Sequence, residues 1–390
     1  MIELAVWVHD LWPYVIRLWE GGPIRWYGMV YLLGFTLGFF LVRRATRVGI
    51  SSLKPWEVMD WVTTLAIMVV IGSRVGYVLF YKPELLGFEL KHSLLGHQLP
   101  FPLPWWRMFN VQEGGMSAHG GVLGLLAGTI YISRKYHHRW AHMADLCAFG
   151  GAIGLFFGRL ANFLNGELYG RVVHEGDELA WTGIKFPTEM REWTADEVRR
   201  LLPGLRGLGM PQDVQNPVEW AIARIQEKNQ AVTDLVAPYL TVRFPSQLFQ
   251  ALLEGLTVWL LIVLLWRRPR KPGLACGLWL AGYGVARFIG EFWRQPDHHL
   301  LNAEFATTHL SRGQWLCTTM IVAGALVARW AMRQDAPAMG GWLPPSDEER
   351  QAWEQTDGQS ADFCGSGEPD PDAPPADAAK GEQAAPPPAS

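Results

Sequence analysis

The chain has 390 residues, of which 49% are hydrophobic and 18% charged, below the roughly 25% charged of a soluble domain. Its formal net charge of −3 is unevenly spread: the stretch from Asp335 onward carries −10, which leaves about +7 on residues 1–334. This balance excludes an ordinary soluble globular domain and points to a polytopic membrane protein with a soluble appendage. The 20 Trp, many near the ends of apolar runs, suit anchoring at headgroup level. Met1-Ile2-Glu3 supplies no basic region ahead of the first apolar run, so no cleavable signal peptide is expected. Cys147, Cys276 and Cys317 fall at or inside apolar helices and Cys364 in the tail; without a CxxC pair they read as free cysteines.

Seven segments are apolar enough to span the bilayer in chain order: 24–43, 57–80, 117–134, 144–166, 246–266, 273–294 and 313–332. Basic clusters follow the first (Arg43, Arg44, Arg47, Lys54), the third (Arg134, Lys135, Arg139) and the fifth (Arg267, Arg268, Arg270, Lys271). The positive-inside rule makes those loops cytoplasmic, with the N-terminus outside and the tail inside. The expected fold is an all-α integral membrane protein of seven transmembrane helices, with a small periplasmic head domain and a disordered C-terminal tail. Residues 1–170 carry helices one to four, including an outer segment, 81–116, whose Pro, Trp and Leu suit the interface. Residues 171–243 form the head, with a helix over 195–202, and residues 244–333 carry helices five to seven. The acidic, Pro- and Ala-rich tail, 334–390, cannot bury a core.

This topology sets the awkward polar residues at one depth. Tyr27 lies near the outer start of span one, and His119, flanked by glycines, opens span three. Arg159, Asn162 and Glu167 close span four, while Tyr283, Arg287 and Glu291 lie toward the outer end of span six. A charge at the centre of a spanning helix costs roughly 2.5–3.5 kcal/mol, so such residues usually face a partner or a polar cavity. Plainer readings exist for each. Arg287 and Glu291, four apart, can neutralise one another, Arg159 can snorkel, His119 can cap a helix, and Tyr27 can belong to an aromatic belt. Arg74 is a further intramembrane charge, expected either to support the site or to pair with Glu254 or another acid. Asp60 and Asp145 suit the N-terminal dipoles of spans two and four.

Two arginines, a histidine, hydroxyls and amides facing a lipid-side cavity imply an anionic ligand with an apolar body, for which phospholipid is the obvious candidate. Ahead of the acidic tail no HExxH, DxD cluster or His–carboxylate spacing suggests a metal cage, so the chemistry is expected to be metal-independent and free of cofactors.

Gly158-Arg159-Leu160-Ala161-Asn162-Phe163-Leu164-Asn165-Gly166-Glu167-Leu168-Tyr169-Gly170 resembles the signature of the bacterial prolipoprotein diacylglyceryl transferases. The resemblance extends through Arg25–Gly28, Gly72–Tyr81, Gly114–Gly121, Phe244–Leu248, Gly282–Gly284 and Arg287 to Asp297, covering all seven spans in order. It implies transfer of the diacylglyceryl group of phosphatidylglycerol to the lipobox cysteine of a preprolipoprotein, giving a thioether and glycerol phosphate, in the bacterial inner membrane. The implied partners are phosphatidylglycerol, the lipobox peptide and membrane lipids, with no nucleic acid. On this reading Arg159 and Arg287 hold the phosphate, and His119 is the general base, with Glu291 or Glu167 as orienting partner or rival base. Tyr27, Asn162 and Tyr283 position glycerol and headgroup, and Gly170 lets the backbone turn beside the site. A transporter of anionic lipid or solute is the alternative, less suited because the polar residues favour one half of the bilayer and no repeat is evident.

Overall fold

The computed structural model describes residues 6–16, 24–47, 51–94, 97–109, 115–295 and 310–341. Helices occupy all seven predicted positions: α1 Trp26–Arg47, α2 Glu57–Phe80, α3 Ala118–Lys135 and α4 Trp140–Leu164 in the first half. After α5 Ala195–Gly207, α6 Pro217–Gln226 and α7 Gln230–Val236 the second half supplies three more: α8 Ser246–Leu265, α9 Leu274–Gly290 and α10 Arg312–Arg333. Five of them, α1, α2, α4, α8 and α10, are long and apolar enough to cross a membrane. Of the other two, α3 spends four of its 18 residues on glycine, and α9 stops after 17 residues, where Glu291–Trp293 tightens into a 3₁₀ turn.

The apolar core fills the end of the bundle that carries the basic loops. Val42, Trp61, Ile132, Met143, Leu146, Phe149, Ile262 and Trp266 are all buried there. At this end Asp60 holds α2 to the end of α3, accepting from Lys135 Nζ at 2.6 Å and Tyr136 Oη at 2.8 Å. Asp145 departs from its expected role at the start of its own helix. Its carboxylate accepts from the backbone N–H of Gly273 and Cys276, each at 2.7 Å, and so caps α9. A capping carboxylate needs only proximity to the orphan N–H groups of a helix N-terminus, and these belong to a neighbour 128 residues away.

Strands appear where only loop was expected. Phe88–Leu94 pairs antiparallel with His97–Trp106 inside the 81–116 segment. Pro100, Pro102 and Pro104 alternate along the second strand, so their missing N–H groups all fall on one edge, which a hairpin tolerates and a helix does not. Residues 171–243 fold around a separate apolar core in which Met190, Leu201, Leu205, Ile222, Ile225 and Val236 are buried. Three helices build it: α5 Ala195–Gly207, longer than the predicted 195–202, α6 Pro217–Gln226 and α7 Gln230–Val236. Thr194 and Glu197 start α5 with a reciprocal capping box, and Ile184–Lys185 pairs with Val242–Arg243 to close the unit. The first residues of the predicted tail are ordered: Met339 and Arg270 exchange both backbone hydrogen bonds, at 2.7 and 2.9 Å. Residues 342–390, the bulk of that tail, lie outside the described residues.

Candidate active site

At the opposite end from the core, Arg159 and Arg287 meet around Glu254. Glu254 lies in a π-helical turn of α8, Ala251–Thr257, and is completely buried. Such turns push one side chain out of the α-helical register and recur at functional sites. Close packing brings the turn onto α4: a Cβ on Gly255 would stand 2.6 Å from the Phe156 Cα, so only glycine lets the two backbones approach. Arg159, one turn further along α4, then reaches Glu254 Oε2 through Nη2 at 3.1 Å. From α9, Arg287 Nη1 reaches the other oxygen, Oε1, also at 3.1 Å.

The carboxylate thus bridges the two arginines from different helices. Both guanidinium groups are mostly buried and keep further N–H groups of their forks for other acceptors. Tyr283, one turn before Arg287, is close enough to interact electrostatically with Glu254, Arg287 and Arg159. Glu291 lies one turn beyond Arg287, 3.6 Å from its Nη2 and 3.6 Å from Arg294 Nη1. The expected i,i+4 pair is therefore present, but Glu254 is the nearer partner of Arg287. Arg159 is tied to Glu254 rather than reaching for headgroups.

Arg74 does not meet Glu254. It is buried on α2, where Nε donates to the Met108 carbonyl at 2.7 Å and Nη1 to the Gly115 carbonyl at 3.0 Å. These bonds tie the connection after the hairpin to α2. His119 is the second residue of α3 and is exposed. Ser117 is the N-cap there, accepting from the Gly120 N–H at 3.2 Å, so His119 is not spent on capping. Tyr27 is the second residue of α1, and its side chain lies outside the described residues.

Asn162 is buried one turn beyond Arg159 on α4. Past the helix end the signature is stitched to the start of α8. Gln247 Nε2 donates to the Glu167 carbonyl at 2.8 Å, and Ser246 Oγ to the Leu168 carbonyl at 3.1 Å. The Glu167 carboxylate is within electrostatic reach of Arg191. Gly170 is not a turn residue. It bridges to Arg294, its N–H donates to the Phe244 carbonyl at 2.8 Å, and an added Cβ would collide with Trp293 O and Phe244 O. Glycine is needed because three chain segments converge there.

An N-terminal strap, without any signal in the sequence, seals the same region. Trp7 and His9 pair with the Lys185 backbone at 3.0 and 2.8 Å, and His9 Nε2 makes a 2.7 Å hydrogen bond to the Phe163 carbonyl at the end of α4. The ring packs against Phe163 and Phe186, both with centroids at 5.3 Å. Burial lowers the pKa of His9 and keeps the ring neutral.

A family model described as prolipoprotein diacylglyceryl transferase matches residues 13–330. The phosphatidylglycerol–prolipoprotein diacylglyceryl transferase of Bdellovibrio bacteriovorus is 34% identical over 357 residues, 86% of this chain and 97% of that protein. Those of Paracidovorax citrulli and a Polaromonas species are 35% and 36% identical, each over 81% of this chain and over 94% and 93% of their own lengths. A membrane-embedded helical protein with this match over most of its length belongs to the prolipoprotein diacylglyceryl transferase family.

Proposed function

We propose that the chain transfers the diacylglyceryl group of phosphatidylglycerol to the cysteine thiol of a prolipoprotein, the first step of lipoprotein maturation. Family membership supports the reaction, and the Arg159–Glu254–Arg287 cluster is the observation that carries the assignment of the site. The protein sits in the bacterial inner membrane with seven spanning helices. The basic loops after α1, α3 and α8 face the cytoplasm, and the residue 171–243 unit and the site face the periplasm, where prolipoproteins emerge.

The peptide sulfur attacks the glycerol carbon that bears the phosphate. A C–S bond forms, the C–O bond to phosphate breaks, and the leaving group is the phosphate monoester of the headgroup glycerol. The thiol, with a reference pKa of about 8.5, must lose its proton to become a good nucleophile. His119 takes it, with Glu291 or Glu167 as the orienting acid. Negative charge grows on the departing phosphate, and Arg159 and Arg287 meet it with the N–H groups that Glu254 leaves over. Donors aimed at developing charge in a water-poor site are worth about 2.7–4 kcal/mol each. Glu254 fixes the separation of the two guanidinium groups in advance, so little reorganisation accompanies the chemistry. Tyr27, Asn162 and Tyr283 position the glycerol and headgroup, and Gly170 holds the signature against the segments around Phe244 and Trp293.

The test is to incubate the purified protein in phosphatidylglycerol vesicles with a lipobox peptide. A diacylglyceryl mass shift on the peptide, with matching release of glycerol phosphate, is the expected result. No shift sinks the reading, and lipid movement between leaflets without product replaces it with a transporter.

A further inference from the structure

Leu168 sits in the signature with a backbone φ of 56°, in the left-handed region. A side-chain-bearing residue is uncommon there, because the Cβ crowds the following carbonyl. Two positions earlier the chain does use glycine, at Gly166, where φ is 65°. At 168 it keeps leucine, and core packing does not explain the choice, since Leu168 is 58% exposed.

The conformation is imposed from behind. The Leu168 carbonyl is taken by Ser246 and the Glu167 carbonyl by Gln247, and both donors are fully buried. On the other side Tyr169 is buried and stacks on Phe186 at 5.3 Å. Fixed neighbours therefore hold an apolar side chain outward beside the signature, in a backbone conformation that disfavours it. Strain retained without packing gain is characteristic of a residue that acts on something outside the fold.

We infer that Leu168 is a specificity-determining contact for an apolar residue flanking the acceptor cysteine of the peptide. This rests on the transfer reaction proposed above. Position favours the peptide over the acyl chains. Ser246, which holds Leu168, precedes Glu254 by eight residues on α8, about 12 Å at 1.5 Å per residue. A phospholipid whose phosphate meets Arg159 and Arg287 sends its acyl chains the other way, toward the bilayer midplane, while the peptide approaches from the outer side.

The experiment compares steady-state kinetics of wild type, L168G, L168N and L168M on a lipobox peptide in phosphatidylglycerol micelles, alongside melting temperatures. Glycine relieves the backbone, and asparagine tolerates the left-handed region but is polar. Both are expected to melt at or above the wild-type temperature, yet to raise the peptide KM about 10-fold, the scale set by losing an apolar contact in a recognition pocket. The KM for phosphatidylglycerol stays within about twofold in both, and L168M restores the peptide KM. Wild-type peptide KM in both L168G and L168N overturns the inference, as does a rise confined to the phosphatidylglycerol KM. An inactive wild type instead removes the transfer reading itself, and this inference with it.

Discussion

Two buried glutamates show how differently this chain uses the same residue. Glu189, in the residue 171–243 unit, accepts from the Thr241 N–H at 2.7 Å, the Thr241 hydroxyl at 2.5 Å and Arg243 Nε at 2.7 Å. Its arginine is spent as well: Arg243 donates to Gln295 at 3.2 Å and lies 4.9 Å above the Tyr169 ring. Glu254 is equally buried but receives one N–H from each of two arginines, both at 3.1 Å, and no backbone donor among the described residues. The first arrangement is closed and acts as a structural pin. In the second, one carboxylate bridges two cations that keep further N–H groups, those of Arg287 with Glu291 3.6 Å away. Burial of a charge is thus shared by a scaffold and a site, and donor accounting separates them.

His119→Gln is expected to lower the rate of thioether formation about 10²–10⁴-fold, the usual weight of a general base, with an unchanged melting temperature because the side chain is exposed. Full activity removes His119 as the base. Next come the glutamates themselves. Glu189→Ala and Glu254→Ala should each cost about 3–5 kcal/mol in denaturant unfolding, since each leaves buried arginine charge uncompensated. Under conditions where both remain folded, only Glu254→Ala should also lose turnover. Equal turnover losses would show that Glu254 acts as a structural pin, as Glu189 does.

Asp145→Ala should remove the cap on α9 and cost about 1 kcal/mol, read as a lower melting temperature with activity retained at low temperature. The smallest effect concerns the strap. His9 has a folded-state pKa below its ordinary 6.5, so the strap's contribution is present above that value and is lost as pH falls below it. Between about pH 7.5 and 5.5 the wild-type melting temperature should fall more than that of His9→Phe. Parallel curves would show that His9 does not titrate with the strap.

The spanning segments and most of the polar residues were legible because membrane helices advertise themselves: apolar runs are long, and Arg159, Asn162 or Arg287 interrupt them conspicuously. Glu254 interrupts a run just as plainly, yet its partners come from α4 and α9 at sequence distances of 95 and 33 residues. No spacing rule links such residues, so Arg74 was as plausible a partner as the two arginines it meets. For the same reason the sequence suits Asp145 to the N-terminal dipole of its own helix rather than to the cap of α9. The hairpin was legible in principle, through prolines at every second position, but Trp and Leu around them favoured an interfacial reading. The His9 strap had no signal at all, since two short backbone pairings carry no periodicity.

The proposed role of Arg159 and Arg287, held by Glu254, in stabilising the departing phosphate can be measured as the single-turnover rate of thioether formation in Arg159→Ala with phosphatidylglycerol and peptide both saturating. The rate is expected to fall about 10²–10³-fold, as for removal of one donor to a developing oxyanion, in protein that still melts cooperatively. A folded Arg159→Ala enzyme with the wild-type rate would show that the guanidinium does not stabilise the leaving group.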